Sequence, residues 1–213
     1  MSVVEKIAAN IGKKTRNILD FDDDTEEVVI YGAINLIQTS VSFLLIMAIG
    51  LIFDVLYESL LFTISISILK KYSGGAHASS SGRCLFIGNA ISVSFSLVIS
   101  KILCKRNIWE IMVIGILCIV ITLFIIIKKA PVDSENKPIT SDKMRKRLKR
   151  NSIITIIICS IVMVIALLIF IASSNIVYIK TFECICFGIL WQSLTLVKPT
   201  IKFLHKIDSL LPF

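Results

Sequence analysis

Long apolar runs with very few charges constrain this chain more than any other feature of its sequence. The run 108–127, for example, is apolar along almost its whole length. A helix needs about 20 mostly apolar residues to cross a bilayer core about 30 Å thick, and several runs reach that length. A soluble domain would instead show its apolar residues in periodic stripes. Because backbone polar groups must pair internally within lipid, these runs predict helices, and we expect an all-α polytopic membrane protein.

The runs predict about six membrane-spanning helices in three hairpins, within a single membrane domain over residues 1–213. The first hairpin, 28–69, is interrupted only by Asp54 and Glu58, so its turn is expected between Gly50 and Tyr57. The other predicted segments are an amphipathic N-terminal segment (1–27), a polar loop (70–84), a second hairpin (85–127), a basic loop (128–151), a third hairpin (152–197) and a tail (198–213).

Positive charge predicts the orientation of these spans. The segments outside the hairpins hold 19 of the 23 Lys and Arg residues, and the other four are Lys101, Lys105, Arg106 and Lys180. Lys and Arg are enriched on the cytoplasmic side of membranes. We therefore expect both termini and the polar loop at the cytoplasmic face of the cell membrane, with the lipid bilayer as a partner. This topology accounts for the pI of about 9.2, and no nucleic-acid partner is expected.

The N-terminal segment has apolar residues at helical spacing, with cationic residues between them. These apolar residues are Val4, Ile7, Ile11 and Ile18. The pattern is typical of a helix that lies in the membrane interface. A soluble helix packed on the bundle would show the same pattern, so both interpretations stay open.

Five of the six cysteines lie within or at the ends of apolar runs, where a free Cys behaves as a small hydrophobic residue. The five are Cys104, Cys118, Cys159, Cys184 and Cys186. The last two form a CxC pair without the second pair that a zinc site needs. We therefore predict no metal site and no cofactor. The sixth, Cys84, lies in a polar setting.

The polar loop carries the candidate catalytic residues. It contains His77, one of two histidines in the chain, and it ends at Cys84, at the mouth of the next span. The thiolate is the reactive form of a nucleophilic Cys, and His77 could take the thiol proton and later protonate a leaving amine. The cations Lys70, Lys71 and Arg83 would favour a thiolate. A helix that begins near Cys84 would add N–H groups able to stabilise an oxyanion.

A bend is expected between His77 and Cys84. Seven residues of continuous α-helix would separate their Cα atoms by about 10 Å, which is too far for side-chain contact. Glycines at 74, 75 and 82 and three serines disfavour a continuous helix there. The group that orients the imidazole stays open, and the candidates are a backbone carbonyl, Ser79, Ser80, Ser81, Asn89 and Glu58.

The block Gly74-Gly75-Ala76-His77-Ala78, followed by Cys84 after the first pair of spans, closely resembles the accessory gene regulator B (AgrB) family. The stretch 27–32, with Asn35 beyond it, also resembles the first span of that family. The similarity in layout covers essentially the whole chain.

The resemblance implies a membrane cysteine endopeptidase of a Gram-positive quorum-sensing system. Such an enzyme removes the C-terminal tail of a small precursor peptide and helps to close the peptide into a thiolactone or lactone ring. The catalytic residues of the family map onto Cys84 as nucleophile and His77 as base, and its Gly before the His maps onto Gly75. The expected supporting residues of the loop are Gly74, Gly75, Ser80 and Arg83. The resemblance also implies a homodimer.

Several basic residues are candidate contacts for the precursor. They are Lys70, Lys71, Lys128 and Lys129. Many family members have Arg where this chain has Lys70 or Lys71, and lysine keeps the charge but lacks the bidentate fork. The basic segment 143–150 could attract an acidic precursor tail or anionic lipid, or could act only as a topology determinant. In the sixth run, Lys180 and Glu183 are ionisable residues within a span, which mark function by default. Their i, i+3 spacing also permits a mutual pair, and pairing within the bundle is favoured over a functional role.

Two other functions compete with peptide cleavage. A transporter or export channel would need polar residues along several spans near the middle of the bilayer. A non-catalytic scaffold would dock a peptide without needing a reactive thiol. The densest polar cluster lies in the predicted cytoplasmic loop, which favours the enzyme. Uniform alkylation rates across all six cysteines would favour a scaffold.

Overall fold

The structure, a computed structural model, describes residues 3–20, 22–75, 78–132 and 141–211. This part of the chain forms eight α-helices, one 3-10 turn (Leu103–Lys105) and no strand. The helices are α1 (Val3–Leu19), α2 (Asp23–Ile52), α3 (Leu56–Ser73), α4 (Ser81–Lys101), α5 (Ile108–Lys129), α6 (Asp142–Ser173), α7 (Ile176–Leu194) and α8 (Lys198–Leu210). The predicted all-α membrane class is confirmed. The first hairpin turns at residues 53–55, inside the range expected for it.

Five described helices are long and apolar enough to cross a membrane. They are α2, α4 with the 3-10 turn, α5, α6 and α7. The sixth predicted span corresponds to α3, which has 18 residues and carries Glu58, Lys70 and Lys71. Phe62 and Leu69 of α3 are fully buried, so the protein itself surrounds much of this helix. Five spans therefore follow from length and composition, and a sixth through α3 stays a prediction.

Helices α2 and α6 begin well before the apolar runs that predicted them. Helix α2 begins at Asp23, because the Asp22 side chain accepts a hydrogen bond from the Thr25 N–H (3.0 Å) and acidic residues suit a helix N-terminus. Helix α6 begins at Asp142, so the basic segment 143–150 is helical and does not belong to a loop. Lys and Arg form helices well, but their charge hides a helix from a search for apolar runs.

Helix α7 lies at the centre of the bundle, in contact with α3, α5 and α6. Small residues allow the neighbouring helices to approach closely. A Cβ added at Gly115 of α5 would collide with the ring of Phe182, and one added at Gly188 would meet the Ser65 Cβ of α3 at 2.8 Å. These close approaches fix α7 against two neighbours and set the position of its C-terminal end.

A buried ion pair also joins α7 to α3. Lys180 Nζ donates to Glu58 Oε1 at 2.6 Å and to Ser100 Oγ of α4 at 2.9 Å. The Lys180 ammonium therefore pairs across the bundle, with the carboxylate of another helix, and not with Glu183 as its i, i+3 spacing permitted. Pairing offsets the cost of an isolated charge inside an apolar bundle.

Helix α1 packs along α2 through small residues. Ala8 and Gly12 are buried, and a Cβ at Gly12 would collide with Ile30 of α2. Arg16 Nη1 donates to Glu26 Oε2 at 2.8 Å. The isoleucines of α1 stay exposed: Ile7, Ile11 and Ile18. The face of α1 that carries Ala8 and Gly12 thus packs on α2, as a helix packed on the bundle requires. The exposed isoleucines lie on a neighbouring face and keep the apolar surface of an interface helix.

The predicted polar loop 70–84 is shorter than expected, since α3 continues to Ser73 and α4 begins at Ser81. The connecting loop is therefore 74–80. It meets residues 130–132, the C-terminal end of α7 and helix α8 at one end of the bundle. The Val132 N–H donates to the Ser73 carbonyl at 3.0 Å, for example. This end of the bundle holds the candidate site.

Candidate active site

The start of loop 74–80 is held in place by hydrogen bonds from helix α7. Gln192 Nε2 of α7 donates to the Gly74 carbonyl at 2.7 Å and to Ser73 Oγ at 3.1 Å. Gly74 and Gly75 have φ angles of 70° and 147°, which side-chain-bearing residues rarely adopt. A Cβ at Gly74 would collide with the Val132 carbonyl, and one at Gly75 would meet Thr195 Oγ1 at 2.9 Å. Both glycines are therefore required by backbone angle and by space.

Cys84 lies in the first turn of α4. Ser80 is the N-cap, and its side chain accepts from the Arg83 N–H at 3.3 Å. The Cys84 N–H donates to the Ser80 carbonyl at 3.0 Å. These two amides already have acceptors, and the expectation that N–H groups of this helix N-terminus would serve an oxyanion stays a prediction.

Arg83 fastens this turn to helix α8. Its guanidinium donates to Ser79 Oγ at 3.1 Å, to the Asp208 carbonyl at 3.1 Å and to the Leu211 carbonyl at 2.9 Å. The Asp208 carboxylate accepts from the Ser79 N–H at 2.9 Å and lies 3.7 Å from the guanidinium. We call this set of contacts the α8 latch. Because the contact between Arg83 and Asp208 spans 125 residues of sequence, we predict that the position of the Cys84 turn depends on a distant helix.

Asp208 was not predicted from the sequence. It is 7% exposed, and the Ser79 N–H, with Arg83 beside it, holds the pKa of its carboxyl below the ordinary value. A single Asp in an amphipathic tail gives no signal of a partner so far away along the chain. Only the folded position of α8 reveals its role.

A cavity of about 500 Å³ opens beside Cys84, between α2, α3 and α4. Cys84 and Ala78 line one end of it, and Trp191 and Leu204 contribute from α7 and α8. Polar side chains line its inner part: Gln38, Ser42, Thr63, Ser67, Asn89 and Ser92. Such a volume is typical of a binding pocket for a small ligand. A reactive group bound there would lie next to the Cys84 thiol.

Buried apolar side chains lie beyond the polar part of the cavity. One turn beyond Ser42, Ile46 is buried, and Phe62 and Ile99 are buried on the facing helices. Helix α2 buries only Ile46 and Gly50, so it packs tightly at that end and leaves the cavity open nearer to Cys84.

Of the four candidate lysines, Lys70 lines the cavity. Lys71 lies near the ring of Tyr72, at 5.7 Å from the ring centroid. Lys128 lies over the ring of Phe124 at the end of α5, at 4.2 Å, and Lys129 follows it on the exposed surface. A bound substrate would meet Lys70 together with Cys84, whereas the other three lysines lie outside the cavity wall.

His77 lies outside the described residues, so the predicted bend and its distance from Cys84 stay predictions. The candidates for orienting its imidazole stay open, and the structure describes the contacts of several of them. Glu58 is bound to Lys180 near the start of α3, 12 residues from Lys70 and about 18 Å along the helix axis. Ser79 and Ser80 already take part in the α8 latch and the N-cap. Asn89 Oδ1 accepts from Ser42 Oγ at 2.8 Å.

Together these contacts give a thiol at a helix N-terminus, beside cations and at the mouth of a pocket. A helix N-terminus favours negative charge, and Arg83 and Lys70 lie on the same side of the bundle. All six cysteines are free, and Cys84 is the one that lines the cavity. The arrangement suits nucleophilic attack by sulfur on a carbonyl bound in the pocket.

Known proteins resemble this chain over almost its whole length. A family model described as accessory gene regulator B matches residues 4–196. The chain is 36% identical over 208 residues to AgrB-like protein 2 of Clostridium perfringens strain 13, with 97% of each chain covered. An AgrB-like protein of Clostridium perfringens strain SM101 is 35% identical with the same coverage, and one of Listeria welshimeri is 30% identical over 68% of each chain. No solved structure shows a significant match.

Proposed function

Because the chain belongs to the accessory gene regulator B family, which is associated with processing of autoinducing peptides, we propose that it is a membrane cysteine endopeptidase. Its substrate is a small precursor peptide. The enzyme cleaves the C-terminal tail from this peptide and promotes closure of a thiolactone or lactone ring. The observation that carries the proposal is the position of Cys84, in the first turn of α4 and at the mouth of the cavity.

The reaction proceeds through a thioester on Cys84. The sulfur attacks the carbonyl carbon before the tail while the thiol proton passes to His77. The C–N bond then breaks, the imidazolium returns the proton to the leaving amine, and the acyl group stays on the sulfur. An internal Cys or Ser of the peptide next attacks this thioester. The new S–C or O–C bond closes the ring, and the proton of the internal nucleophile returns to Cys84.

The pocket supports ring closure over hydrolysis. A thioester exposed to water would be hydrolysed to a linear acid, and exclusion of water protects such an intermediate. The cavity beside Cys84 is mostly walled by the apolar faces of α2, α3 and α4. An acyl group held there is shielded from bulk water while its own nucleophile reaches the thioester.

Packing beyond the cavity favours an enzyme over an export channel. A channel needs a path through the bundle, whereas Ile46, Phe62 and Ile99 are buried among the helices. The enzyme acts at the cytoplasmic face, because the Lys- and Arg-rich segments lie at the same end as Cys84. We propose this location together with the homodimer that the family implies.

The test is co-expression of the chain with short peptides encoded beside its gene, followed by mass spectrometry. Wild type, Cys84→Ala and His77→Ala are compared. We expect loss of the C-terminal tail with wild type and an intact precursor with both variants. Cleavage that persists in Cys84→Ala would refute the nucleophile. Precursors left intact by all three forms would refute the peptidase and leave docking or transport.

A further inference from the structure

The polar side of the cavity contains a buried amide without a partner. Asn89 of α4 is 4% exposed, and its Oδ1 accepts from Ser42 Oγ of α2 at 2.8 Å. Its Nδ2 has no hydrogen-bond partner among the described residues. Buried amide donors are normally paired, because an unpaired donor in an apolar setting is costly. The Ser42 contact holds the amide by its oxygen, and the amide nitrogen is left without a partner among the described residues.

This donor and the nucleophile lie on one wall of the same cavity. Cys84, Gly88 and Asn89 all line it from α4, and five residues separate Cys84 from Asn89, a rise of about 7.5 Å along the axis. Nothing lies within 4 Å of the position that a Cβ would take at Gly88. Gly88 thus leaves open space between the thiol and the amide.

We propose that Asn89 binds a main-chain carbonyl of the precursor in the segment that precedes the scissile bond. This inference rests on the proposed function. It adds the place where the acyl portion of the peptide is bound. The ligand is a hydrogen-bond acceptor of the peptide class, folded into the cavity between α2, α3 and α4, with its last carbonyl at Cys84.

The polar wall of the cavity favours the peptide segment before the scissile bond as the ligand. It fits the leaving tail or a lipid chain less well. The acyl portion stays bound after cleavage, so its shelter must lie beyond Cys84 inside the bundle, where the cavity extends. Peptide carbonyls are acceptors that match an unpaired N–H donor, whereas a lipid acyl chain offers no acceptor. The hydroxyl groups of Thr63, Ser67 and Ser92 add further polar contacts along the same wall.

The first experiment measures binding without chemistry. A precursor that wild type cleaves is titrated onto Cys84→Ala protein in nanodiscs, with and without Asn89→Leu. We expect about tenfold weaker binding with Asn89→Leu, because one hydrogen bond to the peptide is lost. The control is Asn35→Leu, since Asn35 Nδ2 donates to the Tyr31 carbonyl of its own helix at 3.0 Å and faces outward. Equal binding by both variants would overturn the proposal.

The second experiment tests the space beside Gly88. Gly88→Val should place a side chain in the cavity without a clash, raise the KM for the precursor and increase the share of linear hydrolysed product. Gly32→Val is the matched control, because Gly32 lies on the exposed face of α2 and also has nothing within 4 Å. Wild-type KM and ring yield in Gly88→Val, with Cys84→Ala inactive, would overturn this inference and leave the peptidase intact. Cleavage by Cys84→Ala would refute the peptidase itself.

Discussion

At the scale of single residues, Asp208 shows how the turn that holds Cys84 is positioned. Its carboxylate accepts from the Ser79 N–H, and its backbone carbonyl accepts from Arg83. Neither contact touches a substrate, so Asp208 is a positioning residue. Its importance lies in holding the loop that precedes Cys84.

Asp208→Ala should slow precursor cleavage about tenfold, because the Ser79 amide loses its acceptor and the turn before Cys84 shifts. Asp208→Asn keeps a carbonyl oxygen for Ser79 and should recover most of the rate. Initial rates of tail release by mass spectrometry give the comparison. Ser209→Ala, on the exposed side of α8, is the control. An Asp208→Ala enzyme as fast as the control would show that the α8 latch does not position Cys84.

The same contacts predict a pH dependence. The Ser79 N–H lowers the pKa of Asp208 from its ordinary value of 3.8, with contributions from Arg83 and His205. A lowered folded pKa means that the α8 latch is complete above pH 4 and is lost as pH falls through the lower folded value. The rate at which a protease cleaves loop 74–80 of the protein in nanodiscs should therefore stay constant from pH 7 to 5. Faster proteolysis between pH 7 and 5 would contradict the role given to the Asp208 carboxylate, unless the Asp208→Asn variant shows the same increase.

At the scale of elements, Gly74 and Gly75 at the start of loop 74–80 tolerate substitution differently from Gly82, which follows the loop in α4. Gly75→Ala should destabilise the protein by about 2 kcal/mol, since its φ is unfavourable for Ala and Thr195 and Gln192 leave no room. Gly82→Ala adds a methyl in open space within α4 and should be neutral or slightly stabilising. Thermal unfolding in detergent compares the two. Equal melting temperatures would contradict the described path of the loop.

The ion pair between α3 and α7 predicts non-additive effects. Lys180→Met leaves Glu58 buried without its cation and should cost about 3 kcal/mol of unfolding free energy. The double variant Lys180→Met/Glu58→Leu removes both charges and should be more stable than the single one. Denaturant titration measures both. If the double variant were less stable than Lys180→Met, the loss of stability in Lys180→Met could not be assigned to an unpaired, buried Glu58.

The sequence predicted most of these elements, because the bilayer imposes length and polarity on each span. It failed where charge hides a helix, as in 143–150, and where a contact joins distant segments. The α8 latch and the pairing of Lys180 with Glu58 depend on packing, which a single sequence does not display. Cys84 was identified because a polar, glycine-rich segment between two apolar runs stands out.

At the scale of the whole molecule, the orientation in the membrane stays a prediction that can be tested. Asn107→Cys and Ser209→Cys are introduced separately into a cysteine-free chain and treated in intact cells with a membrane-impermeant maleimide. Position 107 should react in intact cells, and position 209 should react only after permeabilisation, because the basic segments favour the cytoplasm. The reverse pattern would invert the topology.

The cavity, the α8 latch and the helix N-terminus all converge on one sulfur atom, so the central claim is a covalent acyl group on Cys84. The most direct measurement is the intact mass of the protein after incubation with a precursor whose internal nucleophile is replaced by Ala, which prevents ring closure. The account predicts an adduct equal to the precursor without its tail, located on Cys84, released by hydroxylamine and absent in Cys84→Ala. Tail release without an adduct on Cys84, or an adduct that persists in Cys84→Ala, would contradict it.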